Sequence, residues 1–104
     1  MGFFELIERY EHEEVVFCYD KDTGLRAIIG LHDTTLGPAL GGCRMKTYTG
    51  GEEEALQDVL RLSRAMSYKS SMAGLNLGGG KTVVMLDNPE QKTPALLQAL
   101  AKRI

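Results

Sequence analysis

The chain has 104 residues, of which 43% are hydrophobic and 25% are charged, a composition typical of one globular domain with a modest core. The formal net charge is −2, and acidic and basic residues are interspersed, which argues against binding to nucleic acid or to an anionic membrane. The N-terminal segment has neither the positive charge of a signal peptide nor the long apolar run of a membrane span. We therefore expect a cytoplasmic protein.

The first half of the chain predicts a helix, a hairpin and a loop. Apolar residues at helical spacing in residues 3–10 predict a short helix. β-branched and aromatic residues at 15–19 and 25–31, separated by turn residues 20–24, predict a hairpin with a five-residue loop. Residues 33–51 hold five glycines and one proline, too many for a long helix or a central strand. Because they are also too apolar for a disordered linker, we expect an ordered loop that closely approaches another part of the molecule.

The second half predicts a helix, a strand and a final helix. An acidic first turn from Glu52 precedes an apolar stripe at helical spacing. The stripe comprises Leu56, Val59, Leu60, Ser63 and Met66 or Ser67. Small residues and a glycine triplet at 78–80 lead into an apolar strand at 82–86. Thr93 as N-cap and Pro94 at the first position predict a helix that runs to residue 104, and the whole order predicts a single α/β domain.

The cysteines and histidines are too scattered to predict a metal site. Cys18 and Cys43 are too far apart in sequence for a disulfide framework or a CxxC zinc site, so we expect both to be reduced and to pack as small apolar groups. His12 and His32 share no metal-ligand spacing with each other or with carboxylates. For His32 and Asp33 we expect a structural hydrogen-bonding pair.

The glycine triplet does not complete a nucleotide-binding motif. In the phosphate-binding pattern GxxxxGK[ST], with Lys81 and Thr82 as its last residues, the first glycine would stand at Leu75, and a helix would have to follow. A dinucleotide fingerprint beginning at Gly78 would require glycine where Val83 stands. We therefore expect no cofactor-binding residues in this chain.

Two lysines remain as candidates for chemistry. Lys81 follows the glycine triplet directly, and Lys69 lies twelve residues earlier at a helix end. Glycines let a ligand approach the backbone, and burial near apolar groups and a second ammonium favours a neutral amine, which can act as a general base. The spacing alone fits equally two solvated lysines in a glycine-rich turn.

Long stretches of the chain carry a family resemblance. They are IIGLHDTTLGPALGGCRM at 28–45, EEEALQDVLRLSRAMSYKSSMAGLNLGGGKTVV at 52–84 and the opening ELIERYEHEEVVFCYDKDTGLRAII. The chain resembles the N-terminal, substrate-binding domain of the Glu/Leu/Phe/Val dehydrogenase family, and leucine dehydrogenases most closely. The resemblance implies a mixed sheet flanked by helices, a homo-oligomer, and a truncated substrate-binding and oligomerisation domain at 1–104 that lacks the NAD-binding Rossmann domain.

The resemblance also implies roles for individual residues. Lys81 corresponds to the catalytic lysine that activates water during oxidative deamination of an L-amino acid with NAD, which yields the 2-oxo acid and ammonia. Lys69 corresponds to the lysine that pairs with the substrate carboxylate. Further positions match residues around the substrate pocket: Leu40, Gly41, Gly42 and Met66. These chemical roles fit the residue types, because a carboxylate needs a fixed cation and an attacking water needs a base.

Two features separate this chain from a complete family member. The family's catalytic aspartate lies in a segment beyond the last helix, so we expect the 104-residue chain alone to be inactive. Cys43 stands where many leucine dehydrogenases have threonine and phenylalanine dehydrogenases often have cysteine, although NLGGGK favours the leucine type. Phenylalanine or valine specificity stays open. A non-catalytic assembly role also stays open. In that role the first helix and the hairpin edge, with Phe3 and Phe4, contact a second copy of the chain.

Overall fold

The computed structural model describes residues 2–35, 37, 39–87, 90 and 92–102, and for Ala39 and Leu40 it describes the backbone alone. The predicted helical residues 103 and 104 lie outside the described part. The helices and strands are α1 (Phe3–Arg9), β1 (Glu14–Asp20), β2 (Leu25–Asp33), β3 (Ala39–Leu40), β4 (Cys43–Lys46), α2 (Gly51–Met72), β5 (Gly78–Met85) and α3 (Pro94–Ala101).

The described strands form one mixed sheet. β1, β2 and β5 pair antiparallel in that order, and β3 and β4 both pair parallel to β5 along its other side. The predicted α/β fold with a mixed sheet is therefore confirmed. The hairpin loop is one residue shorter than expected, because Asp20 pairs with Leu25 inside the ladder. The Asp20 carboxylate accepts a hydrogen bond from the Thr23 hydroxyl at 2.6 Å, which closes the remaining turn.

The glycine-rich segments are where the strand predictions are wrong. Residues 33–51 contain β3 and β4, where we expected only a loop. β5 begins at Gly78 and not at Thr82, so the glycine triplet lies within a strand. Glycine is generally disfavoured in strands, but it is required where two backbones approach closely. Such an approach exists at Gly79, because a Cβ atom there would overlap the backbone of α2.

Two apolar clusters cover the two faces of the sheet. The cluster between the sheet and α1 and α2 contains Leu6, Ile28, Tyr48, Ala55, Leu56, Val59, Leu60, Val83 and Met85. The cluster on the α3 face contains Cys18, Leu25, Ala27, Val84, Leu86, Leu96 and Leu100. Alternate residues of β5 enter different clusters, as the two-residue period of a strand requires. The predicted stripe on α2 is confirmed through Ser63, which is fully buried.

The cap of α3, the two cysteines and the helix lengths can also be compared with the predictions. The cap of α3 is confirmed: the Thr93 hydroxyl accepts a hydrogen bond from the Leu96 N–H at 3.2 Å. Both cysteines are free thiols, but only Cys18 is packed, since Cys43 lies exposed on the short strand β4. None of the helices in the described ranges combines the length and the apolar character needed to cross a bilayer.

The core on the α2 face provides a test of the fold. Leu56 is fully buried between α2 and the sheet, so Leu56→Ala should lower the free energy of unfolding by about 2–5 kcal/mol through lost burial and a residual cavity. Urea denaturation of the purified chain measures this change. Leu97→Ala is the matched control, because Leu97 is 38% exposed on α3 and should lose much less. Equal losses in the two variants would contradict the described core.

Candidate functional site

Lys81 lies on the face of β5 that α2 covers, between two glycines. Its partner on β2 is Gly30. On the other side of β5 lies Gly42, where an added Cβ atom would be 3.1 Å from Lys81 Nζ. The residues opposite the partly buried lysine, Gly30 on β2 and Gly42 in the loop between β3 and β4, therefore carry no side chain. The space beside the amine is bounded by the backbone of Gly42 on one side, while side chains of α2 lie against Gly30 on the other.

The loop between β3 and β4 forms one wall of this space. The Gly42 carbonyl accepts a hydrogen bond from the Thr82 N–H at 3.0 Å. A Cβ atom at Gly41 would overlap the carbonyl group of Gly80, so only glycine permits this contact. The expectation that the glycine-rich loop closely approaches another segment is confirmed. Leu40 precedes this loop and pairs with Gly79 through its backbone, but its side chain lies outside the described part.

Lys69 and Met66 occupy the last turns of α2. Lys69 is exposed and Met66 is partly buried. In the described ranges, no carboxylate forms a salt bridge with the Lys69 ammonium. The contact that joins this end of α2 to β5 runs through Ser67, whose hydroxyl accepts a hydrogen bond from the Gly79 N–H at 2.9 Å. The pocket roles of Lys69 and Met66 therefore stay predictions.

Cys43, next to Gly42, lies in the electrostatic field of two lysines. Partial desolvation raises the pKa of the Cys43 thiol, and the positive charges of Lys81 and Lys92 act in the opposite direction. The thiol is therefore protonated at neutral pH, which does not suit a nucleophile. Lys92 has no motif that would single it out in the sequence, yet the fold brings its charge close to the loop.

A polar cluster ties β4 to α2 on the other side of the loop. Asp58 of α2 accepts a hydrogen bond from the Tyr48 hydroxyl at 2.6 Å and from Arg61 at 2.9 Å, and Arg44 of β4 lies 3.5 Å away. Burial raises the pKa of Asp58, but the hydrogen bonds from Tyr48 and Arg61 outweigh it and leave the pKa below its usual value. The carboxylate is thus ionised and holds the chain after β4 against the helix.

His12 and His32 contact each other, a proximity that their spacing in the sequence did not indicate. Their ring centroids are 5.0 Å apart in an edge-to-face arrangement. The hairpin register explains the contact, because Glu14 opposes Leu31 and the residues just outside this pair are neighbours. The predicted hairpin, although its loop was one residue too long, already brought the ends of the two strands together and was the signal in the sequence for this proximity.

His12 donates to a buried serine on α2. Its Nε2 lies 2.5 Å from the Ser63 oxygen, and the Ser63 hydroxyl itself donates to the Val59 carbonyl at 2.6 Å. Since the serine proton is used, His12 Nε2 carries the hydrogen that joins the two side chains. The other ring nitrogen, Nδ1, is buried and has no partner among the described residues.

His32 contacts α2 through Ser67. His32 Nδ1 lies 2.7 Å from the Ser67 oxygen, and His32 is buried. The predicted pairing of His32 with Asp33 is wrong, because the Asp33 carboxylate accepts from the Thr35 N–H at 2.8 Å. The two adjacent side chains therefore have different partners, His32 on α2 and Asp33 in the segment that follows β2.

The described residues form no metal-binding cluster, and their glycine triplet forms no pyrophosphate-binding site. No three His, Cys, Asp or Glu side chains in the described ranges are grouped so that they could hold a metal ion. The glycine triplet lies in β5 between paired strands, whereas a pyrophosphate requires glycines that open a helix. The glycine triplet therefore does not fit a pyrophosphate group.

His12 makes the stability of the fold depend on pH. Burial, with the neighbouring His32, lowers the pKa of His12 from 6.5 to about 4. Between these values the unfolded chain binds a proton that the folded chain does not, so the free energy of unfolding should fall as the pH drops through this window. Urea denaturation at several pH values measures the slope. His12→Gln keeps a donor for Ser63 without titrating, and a slope as steep as that of the wild type would refute the assignment to His12.

Known proteins match this chain along its length. The sequence model of the Glu/Leu/Phe/Val dehydrogenase dimerisation domain matches residues 12–104. The chain is 56% identical over 104 residues to leucine dehydrogenase of Geobacillus stearothermophilus, covering all of this chain and 28% of the relative. It is 60% identical over 100 residues to phenylalanine dehydrogenase of Bacillus thermotolerans, covering 95% of this chain and 26% of the relative.

A solved structure of another amino acid dehydrogenase is similar to this chain. The crystal structure of L-tryptophan dehydrogenase from Nostoc punctiforme matches with a TM-score of 0.93 and 48% identity, covering 98% of this chain and 30% of that one. The chain thus spans less than a third of each of these proteins. The match over residues 12–104 and the identities across the whole chain establish that it belongs to the Glu/Leu/Phe/Val dehydrogenase family.

Proposed function

We propose that this chain is the substrate-binding, catalytic-lysine domain of an NAD-dependent dehydrogenase that oxidatively deaminates a branched-chain L-amino acid to the 2-oxo acid and ammonia. The observation that carries the proposal is Lys81, partly buried on the face of β5 that α2 covers, with glycines at the opposite positions of β2 and of the β3–β4 loop. The family membership and the leucine dehydrogenase relatives support it. Cytoplasmic location is part of the proposal, since the two free cysteines suit a reducing compartment.

Lys81 would carry the proton transfers of the reaction. NAD, bound outside this chain, would accept the hydride of the substrate. The iminium carbon that results must be attacked by water, and a neutral amine within reach takes the proton that the water loses. The same amine, now protonated, returns a proton to the nitrogen that leaves as ammonia. The missing side chain at Gly42, next to Nζ, would allow the reacting carbon to lie close to the amine.

Lys69 would hold the substrate carboxylate. Its ammonium is exposed at the end of α2, and no carboxylate in the described ranges forms a salt bridge with it, so it is available to an anionic ligand. A charge-assisted hydrogen bond from a lysine to a carboxylate orients the ligand as well as binding it. Gly41 and Gly42 would form one wall of the pocket, and Leu40 and Met66 would be positions around it.

The lysine roles can be tested in a chimera in which this chain replaces the matching segment of the Geobacillus leucine dehydrogenase. Lys81→Met should lower kcat by about 100-fold or more, the effect of losing a general acid–base group. Lys69→Met should mainly raise KM for the amino acid, because it removes a binding charge. Steady-state kinetics with leucine, valine and phenylalanine measures both effects and the substrate preference.

The control for these variants is Lys21→Met, which removes the same charge from the exposed hairpin loop. It should leave both constants unchanged. Full activity of Lys81→Met would refute the catalytic role, and a higher kcat/KM for phenylalanine than for leucine would refute the branched-chain assignment. The 104-residue chain alone should not reduce NAD in the presence of leucine, and turnover by it would contradict the requirement for further groups.

We also propose that the chain forms a homo-oligomer through β1. Of the described strands, β1 pairs only with β2, and its outer face exposes aromatic side chains. Phe3 stacks on Phe17 with ring centroids 5.8 Å apart, and both line an apolar groove of about 570 Å³. An exposed edge strand with apolar neighbours favours pairing with a second copy, and the matching family model is described as a dimerisation domain.

Sedimentation analysis tests this interface. Phe17→Lys should shift the chain towards the monomer, because a charge on the apolar face opposes its burial. Leu97→Lys adds the same charge to a half-exposed position on α3 and should leave the distribution unchanged. A wild-type chain that is monomeric at every concentration, or a Phe17→Lys variant that associates normally, would contradict the proposed surface.

A further inference from the structure

An irregularity in the sheet occurs next to the lysine site. Leu31 pairs with Gly80 and Asp33 pairs with Gly79, so His32 is an extra residue in β2 that no residue of β5 opposes. Such a bulge disturbs the hydrogen-bonded ladder and redirects a side chain. At this point the Gly79 N–H donates to the Ser67 hydroxyl of α2. A helix side chain therefore holds the backbone of the strand where the sheet is irregular.

The Ser67 hydroxyl is held in turn by His32. Because the oxygen accepts from Gly79, its own proton is available for His32 Nδ1, 2.7 Å away. His32 is fixed by two aromatic neighbours, the His12 ring at 5.0 Å and the Tyr68 ring at 6.0 Å. The orientation of the hydroxyl is thus determined by buried groups and not by solvent.

The hydrogen bond between Ser67 and Gly79 lies close to both candidate lysines along the chain. Ser67 precedes Lys69 by two residues on α2, and Gly79 precedes Lys81 by two residues on β5. The residues opposite Lys81 are Gly30 on β2 and Gly42 in the β3–β4 loop, so neither places a side chain against it. Its position depends on the backbone of β5, which Ser67 holds at Gly79.

We propose that Ser67, oriented by His32, is a positioning residue that sets the separation of Lys69 and Lys81 by binding the Gly79 N–H. This proposal rests on the proposed function, in which one lysine binds the carboxylate and the other handles protons at the neighbouring carbon. In one small substrate, the carboxylate and the neighbouring carbon lie at a fixed distance from each other. The two lysines that act on them must therefore also be held at a fixed distance. Neither histidine nor Ser67 contacts the substrate in this scheme.

Kinetics in the chimera tests the positioning role. Ser67→Ala should lower kcat about 10- to 100-fold, the loss expected when a catalytic group moves by about 1 Å. KM for NAD should stay unchanged, since the cofactor is bound by another domain. Ser67→Thr keeps the hydroxyl and should retain most of the activity. Ser70→Ala is the matched control, because it removes a buried hydroxyl from the same helix and, in the described part, Ser67 and not Ser70 accepts the hydrogen bond from Gly79.

A second pair of variants separates the hydrogen bond from packing. His32→Asn places an amide oxygen where Nδ1 lies, so it should keep an acceptor for Ser67 and retain kcat. His32→Leu fills the space without an acceptor and should reproduce the loss seen in Ser67→Ala. Retained kcat in both Ser67→Ala and His32→Leu would overturn the positioning role. If Lys81→Met were inactive in the same chimera, the proposed function would survive that result, so the two failures are distinguishable.

Amide hydrogen exchange in the 104-residue chain follows the same contact without relying on activity. In Ser67→Ala, the Gly79 amide should exchange faster than in the wild type, because its acceptor is gone. The Thr82 amide, which donates to Gly42, should keep its protection and report that the sheet is intact. Unchanged protection of Gly79 in Ser67→Ala would overturn the proposal whatever the kinetics.

Discussion

The close contact between the first half of β5 and its surroundings is the constraint on which the site depends. A Cβ atom at Gly78 would overlap the carbonyl of Asp33 in β2, and one at Gly79 would overlap the backbone of α2. These contacts are between backbone atoms, so they do not depend on side-chain rotamers. Lys81, the first side chain of the strand, therefore projects from a rigid support, as a group that must meet a substrate precisely requires.

The second half of β5 contributes apolar burial, and the first half belongs to the candidate site. Val83 and Val84 are fully buried on opposite faces of the sheet and provide the apolar burial that holds the strand. The glycines before them bury little apolar area and lose more conformational entropy than other residues on folding. The glycine half is thus stabilised by the apolar half and by contacts from α2. The glycine half can therefore hold Lys81 in place because the core next to it is complete.

The sequence predicted the elements whose signals are local. The stripe on α2, the Thr93 cap and the hairpin all depend on residues a few positions apart. β3 and β4 were missed because their parallel pairing with β5 is non-local and their segment is rich in glycine. The contacts of His12 and His32 with α2 were missed for the same reason, since they join residues 51 and 35 positions apart. A close approach of the glycine-rich loop to another segment was anticipated from composition, but not that the segment is β5, nor that Gly30 lies on the other side of Lys81.

The turn between α2 and β5 explains how the two lysines come to lie on elements that pack together. Gly74 has a φ of 74°, a conformation that favours glycine, and the Leu75 N–H donates to the Ser70 carbonyl at 2.9 Å, which ends the helix. The chain reverses at once, and the Ser67–Gly79 hydrogen bond closes a loop between residues twelve positions apart. A short closed loop costs little entropy to order. The end of the helix and the start of the strand are therefore joined twice, by the chain itself and by a side chain, and the spacing between their lysines depends on both links.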